Sequence, residues 1–262
     1  MEPTHIIIAI IGGTIAGVLN TLAGNGSAIT LTILTEMLGL PGNVANGTNR
    51  VGVLAQGLTG SYTFYKNGKL NLERSKFVIF LIVLGAVAGV LTAVQVNNDQ
   101  FIQVFRFLLV AMLVVILVKP KRWLQKSDLT KKVNYWIAIP LYLALGFYGG
   151  FIQMGMGVFF LATMVLVARY DLIEANAVKG FVVALYTILV VAIFQWKGLI
   201  DWRIGLTLAV GQGFGGWMAA RFASQYPKAD VWAYRLLIFV VVLAIVKLFD
   251  LHEYLLPTGF LD

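Results

Sequence analysis

Long apolar runs, interrupted by glycine and by short charged loops, set the pattern of this chain. Residues 77–96, 101–118, 176–196, 203–221 and 231–249 each have the length of about 18 residues or more that a spanning helix needs. The run 6–40 is different. As one helix it would extend roughly 52 Å, against a hydrocarbon core of about 30 Å. It is broken at Gly24-Asn25-Gly26-Ser27, where glycine disfavours continued helix. It therefore reads as a hairpin of two shorter helices, near 6–22 and 27–39, followed by a helix over about 43–65. The same plan returns later. Residues 134–168 form a hairpin broken at Gln153-Met154-Gly155-Met156-Gly157, and three single spans follow.

The polar positions orient these elements. Lys66, Lys69, Arg74 and Lys76 cluster in one loop; Lys119, Lys121, Arg122, Lys126, Lys131 and Lys132 cluster in another. Lys and Arg mark cytoplasmic loops, so both loops are expected inside and the turn at Asn97-Asn98-Asp99-Gln100 outside. The first hairpin then begins and ends outside, whereas the second begins inside. The expected fold is an all-α polytopic membrane protein with two inverted-topology repeats. Each repeat is a glycine-broken hairpin plus three transmembrane helices. Residues 1–119 form the first repeat, 120–133 a basic cytoplasmic linker and 134–262 the second repeat, with both termini outside. The start Met-Glu-Pro-Thr-His lacks a basic n-region, so the first apolar run is expected to be retained.

The halves also match residue by residue. At a spacing of 129, Gly17 falls on Gly146, Gly26 on Gly155, Arg50 on Lys179 and Arg106 on Arg235. One residue later in register, Gly68 falls on Gly198 and Gly85 on Gly215. Arg50 and Lys179 each lie early in a long apolar helix. An ionisable group inside a span is costly and marks a functional site by default. Paired broken segments in inverted repeats point to a transporter's binding site. Two cations there suit a small anion, Arg50 as a two-pronged donor and Lys179 as a point charge. The helix starts near Gly26 and Gly155 offer backbone N–H groups. Asn20, Asn25, Asn49, Gln153 and Asn176 complete the expected substrate site around a common central cavity. Glu36, an acid within the first hairpin, is the candidate for proton coupling.

The runs Gly17-Val18-Leu19-Asn20-Thr21-Leu22-Ala23-Gly24-Asn25-Gly26-Ser27, Leu40-Pro41-Gly42-Asn43-Val44-Ala45-Asn46-Gly47-Thr48-Asn49 and Gly146-Phe147-Tyr148-Gly149-Gly150-Phe151 resemble the glycine-rich repeats of the TauE/SafE sulfite exporter family. The resemblance departs at Asn25, Ser27 and Gln153. It covers nearly the whole chain and implies export of sulfite, sulfonates or related organosulfur anions across the bacterial inner membrane.

Composition agrees with a membrane protein: 59% of the 262 residues are hydrophobic and 12% charged, with mean hydropathy +0.84. The net charge of +8 reflects loop lysines rather than nucleic-acid binding. With no cysteine and two histidines, His5 and His252, neither a cofactor nor a metal site is expected. No P-loop or nucleophile motif is present, so the chain is not expected to be an enzyme or an ATP-driven pump. Expected partners are a small anion and the bilayer; the sequence leaves a homodimer open. A passive anion channel, or a carrier of another small organic anion, fits the same cations. Simpler readings stand beside these. Arg50 can pair with Glu36 or a backbone carbonyl. Gly12, Gly13, Gly17, Gly85 and Gly89 can serve helix packing. Arg106, Arg235, Trp123, Tyr135, Trp136, Trp196, Trp202, Trp232 and Tyr234 read as interface anchors. Asp171 and Glu174 read as solvated loop acids.

Overall fold

A computed structural model describes residues 3–93, 134–151 and 153–248. The described residues fold into helices. The broken hairpins come first in each half. Helix α1 (Pro3–Leu22) is followed by α2 (Gly26–Thr32), which runs into a π turn at Ile33–Met37. Then come α3 (Gly42–Lys66) and α4 (Leu72–Ala93). In the second half, α5 (Tyr135–Phe151) precedes α6 (Met156–Ala162), a π turn at Thr163–Val167, α7 (Leu172–Trp196), α8 (Trp202–Gln225) and α9 (Ala229–Leu248).

The second helix of each hairpin thus runs close to its expected length and ends in a π turn, a feature that often marks functional sites. The expected span 101–118, the linker 120–133, Arg106, His252 and the C-terminal tail lie outside the described residues. Helix α7 starts ahead of the expected 176, because the Asp171 carboxylate accepts from the Glu174 N–H and caps it. Glu174 is therefore a first-turn residue rather than a solvated loop acid. It meets Arg74 at 3.2 Å, across the two halves, and the Arg74 guanidinium lies 3.9 Å from the Tyr170 ring centroid.

From α2 onward the elements of the two halves recur 130 residues apart: α2 and α6 start at 26 and 156, α3 and α7 at 42 and 172, α4 and α8 at 72 and 202. Before the break the spacing is 129. Helices α1 and α5 end at 22 and 151, and the left-handed residues that follow are Gly24 and Gln153. The extra residue lies inside the second break, where Gly155 is also left-handed, at φ 77°.

Helix packing crosses between the halves. Helix α1 lies on α8, and α5 lies on α4, backbone against backbone. A Cβ at Gly17 would sit 2.5 Å from the Gln212 carbonyl oxygen, and one at Gly215 2.2 Å from that of Thr14. Across the other seam, a Cβ at Gly85 would meet the Leu143 oxygen at 2.2 Å and one at Gly150 the Ala86 oxygen at 2.1 Å. Small residues permit such close approach between helices in lipid. Gly13 and Gly89 pack in the same two seams, and Gly12 faces the Ile33 side chain. The two breaks also touch, since a Cβ at Gly24 would lie 2.5 Å from Gly157.

Three described helices, α1, α4 and α7, are long and apolar enough to cross a membrane. Helices α3 and α8 bury Thr48, Asn49, Arg50, Gln56 and Gln212 inside the protein, so their composition reflects helix contacts more than lipid. Trp136, Trp196 and Trp232 are exposed, whereas Tyr234 is buried in the core. Arg235 lies 5.6 Å from the Trp232 ring centroid.

Candidate functional site

Both buried cations close the ends of broken helices. A helix leaves its last four carbonyls without intrahelical partners, and its C-terminus carries partial negative charge. Arg50, fully buried on α3, reaches across to the end of α5. Its Nη1 donates to the Gly149 oxygen at 3.0 Å and to Gln153 Oε1 at 2.5 Å. Its Nη2 lies 3.5 Å from the Gly150 oxygen, and its Nε has no partner. Lys179, 3% exposed on α7, does the same at the end of α1. Its Nζ donates to the Asn20 oxygen at 2.8 Å, the Thr21 oxygen at 3.0 Å and Asn176 Oδ1 at 2.6 Å. The carbonyl pairs, 20/21 and 149/150, are equivalent at the 129 spacing of the first helices.

The cations themselves are one position out of step in the 130 register of α3 and α7, where Lys179 corresponds to Asn49 and Arg50 to Gly180. One helix position turns a side chain by about 100°, which the long side chains absorb. The two groups share no hydrogen-bond partner; each closes its own nest of acceptors, Arg50 at 149, 150 and 153 and Lys179 at 20, 21 and 176. No described carboxylate lies within ion-pair distance of either cation. Arg50 therefore pairs with backbone carbonyls and not with Glu36. Glu36 lies exposed on the first π turn, where its carboxylate accepts from the Thr35 hydroxyl at 3.4 Å.

The remaining candidates sort onto these nests. Gln153 adopts φ 65°, a region that is unusual outside glycine. Its Oε1 also accepts from the Tyr186 hydroxyl at 3.0 Å, so the strained residue joins α3, α5 and α7 at one oxygen. Asn176 anchors Lys179 and donates to the Leu22 and Leu172 oxygens at 3.2 and 3.1 Å. Asn20 donates to Gln56 Oε1 at 2.7 Å, and Gln56 donates to Thr21 Oγ1 at 3.1 Å. Gly26 starts α2 against α1, where a Cβ would collide with the Ala16 oxygen at 1.9 Å. Asn25, Ser27 and Asn49 are buried in the first half. Gly155 contributes its left-handed backbone to the second break.

Sequence reading did not single out Thr30, Gln56, Tyr186 or Gln212 as site residues. Gln56 and Gln212 carried a usable signal, each a lone amide among apolar and glycine neighbours of a helix. A groove of about 340 Å³ between α3 and α7, lined by Leu58, Tyr62, Phe181 and Ile188 among others, contains none of the candidate residues.

The sequence profile of the family described as Sulfite exporter TauE/SafE matches residues 9–248. A probable membrane transporter protein of Sinorhizobium, ORF9, is 30% identical over 215 residues, covering 80% of this chain and 79% of the relative. A probable membrane transporter protein of Haemophilus influenzae is 27% identical over 217 residues, covering 82% and 84%. The Bacillus subtilis protein YdhB, also a probable membrane transporter, is 20% identical over 216 residues, covering 80% and 87%. No solved structure matches the chain.

Proposed function

Because the chain belongs to the TauE/SafE sulfite exporter family, we propose that it is a secondary transporter of small sulfur-containing anions, such as sulfite or organosulfonates. It carries them outward across the bacterial inner membrane as a multi-pass protein with both termini outside. The observation that carries this reading is the pair of buried cations with no carboxylate in reach among the described residues. A buried charge is costly unless it is paired. Carbonyl ends offset part of the cost at Arg50 and Lys179, and a bound anion supplies the missing charge.

The mechanism follows from what each cation holds. Arg50 belongs to the first half and grips the broken helix of the second; Lys179 does the converse. An anion that competes with the carbonyls for these donors loosens one cross-half tie while it binds. Alternating access then consists of the two inverted repeats rocking about the touching breaks at Gly24 and Gly157. Each repeat supplies one cation, and each cation reports occupancy to the other half's broken helix.

Flux into proteoliposomes tests this reading. Sulfite, sulfoacetate, taurine, sulfate and acetate are compared for wild type, Arg50→Lys, Arg50→Gln, Lys179→Arg and Lys179→Gln. Saturable sulfite or sulfonate flux with counterflow is expected in wild type. The charge-conserving variants should retain part of it, and the glutamine variants should lose it. Folded wild-type protein that moves none of the sulfur anions overturns the reading. Rapid flux that never saturates and shows no counterflow makes it a channel.

A further inference from the structure

Buried polar atoms without partners concentrate in one stretch of the chain, the first break and the helix α3 that follows. Among the described residues eight such side-chain atoms occur, and seven of them lie between Asn25 and Ser61. Four are in and beside the first break: both amide atoms of Asn25, the Ser27 hydroxyl and Asn49 Nδ2. These residues are 1%, 2% and 0% exposed. A buried donor left without an acceptor costs about 1–3 kcal/mol, so such a cluster in a folded protein calls for an explanation.

The neighbouring network engages the oxygen end of Asn49. The Thr30 hydroxyl lies 2.6 Å from Asn49 Oδ1, and Gln212 Nε2 donates to the same oxygen at 3.2 Å. Thr30 Oγ1 is also 3.2 Å from the Ser27 carbonyl oxygen, which places Ser27 and Asn49 beside one another. With both donors on its oxygen, the carboxamide turns its NH₂ away unpaired. Gly52, one turn on from Asn49, lets the Gln212 amide approach, since a Cβ there would sit 2.7 Å from it. The second half has no equivalent. In the 130 register Asn25, Ser27, Thr30 and Asn49 become Gly155, Gly157, Phe160 and Lys179, and Gln212 answers to Ile82.

We propose that the protein holds one oxyanion per chain in a one-sided pocket of neutral donors, Asn49 Nδ2, Ser27 Oγ and Asn25 Nδ2, with Gln212 and Thr30 as positioning residues that aim the Asn49 amide. This rests on the anion-transport reading above and assigns that anion its binding place. The same anion draws the neighbouring cation from its carbonyls, so the cations supply charge and coupling while the amide and hydroxyl donors select oxygen-rich anions by geometry.

The test uses the full chain in proteoliposomes, with sulfite flux, and in detergent, with thermal unfolding and sulfite titration. Ser27→Ala removes a hydroxyl that has no partner in the empty protein. It should leave the apo Tm unchanged or raised, while KM for sulfite rises about tenfold, the equivalent of one hydrogen bond, with Vmax within twofold. Ser27→Thr keeps the hydroxyl and should restore KM. Gln212→Met should raise KM similarly, and Gln225→Ala, on the exposed end of α8, should change nothing. Titration should give one sulfite per chain. Unchanged KM in both Ser27→Ala and Gln212→Met overturns the pocket while leaving transport standing, as does a stoichiometry of two. Wild type without saturable flux overturns the transport reading itself.

Discussion

Arg50 and Lys179 show how much a single side chain does at the end of a broken helix. Each replaces hydrogen bonds that the chain itself no longer makes, because Gly24 and Gln153 turn the backbone out of the helix. Lys179→Met would leave the Thr21 carbonyl and the Asn176 amide oxygen without their donor, while the Asn20 carbonyl keeps the Gly24 N–H at 3.1 Å; the expected cost is about 2 kcal/mol, read as a lower Tm in detergent. Tyr186→Phe removes one of two donors from Gln153 Oε1. It should cost about 1 kcal/mol and leave Arg50 in place. Gln153→Leu should cost more, since Arg50 then loses its nearest side-chain acceptor in a buried site. A Tm for Gln153→Leu at or above that for Tyr186→Phe would contradict this ordering. The cations were legible in the sequence because charge in an apolar run is rare. Their carbonyl partners were not, because any backbone carbonyl is the same in sequence.

Among elements, the glycine seams carry the packing. Helices α1 and α8, and α4 and α5, approach so closely that a methyl group would overlap a carbonyl oxygen. Gly150→Ala should therefore cost about 3 kcal/mol through forced separation of α5 from α4. Gly68→Ala faces open space and meets only the penalty of its φ of 67°, about 1 kcal/mol. Comparing the two melting temperatures separates close packing from backbone conformation. Glycine positions and the 129 and 130 spacings could be read from the chain. Which glycine faced which helix could not, since the seams join α1 to α8 and α4 to α5 across more than half a hundred residues. The π turns were not legible either. Ile33–Met37 and Thr163–Val167 have ordinary apolar helical composition, and the extra residue per turn shows only in the backbone hydrogen bonds.

At the scale of the molecule, two halves of like design hold each other's broken helices. The proposed inversion of the halves makes a prediction that needs no substrate. Lys66 ends α3 and Lys197 follows α7 at nearly equivalent places, and the chain has no cysteine of its own. An impermeant maleimide on intact cells should label Lys197→Cys, and Lys66→Cys only after permeabilisation. Labelling of both from one side would refute the inversion. The sequence by itself determined the helical class, the two glycine breaks, the duplication and the buried cations. Each of these is a local property, a matter of hydropathy, backbone freedom or charge within a few residues. Only the tertiary structure decided that Arg50 and Lys179 sit in separate nests, that Glu174 pairs with Arg74, and that Thr30, Asn49 and Gln212 converge from three helices. Those outcomes depend on which faces meet when distant helices pack, and hydrogen bonds between such faces leave no periodic trace along the chain.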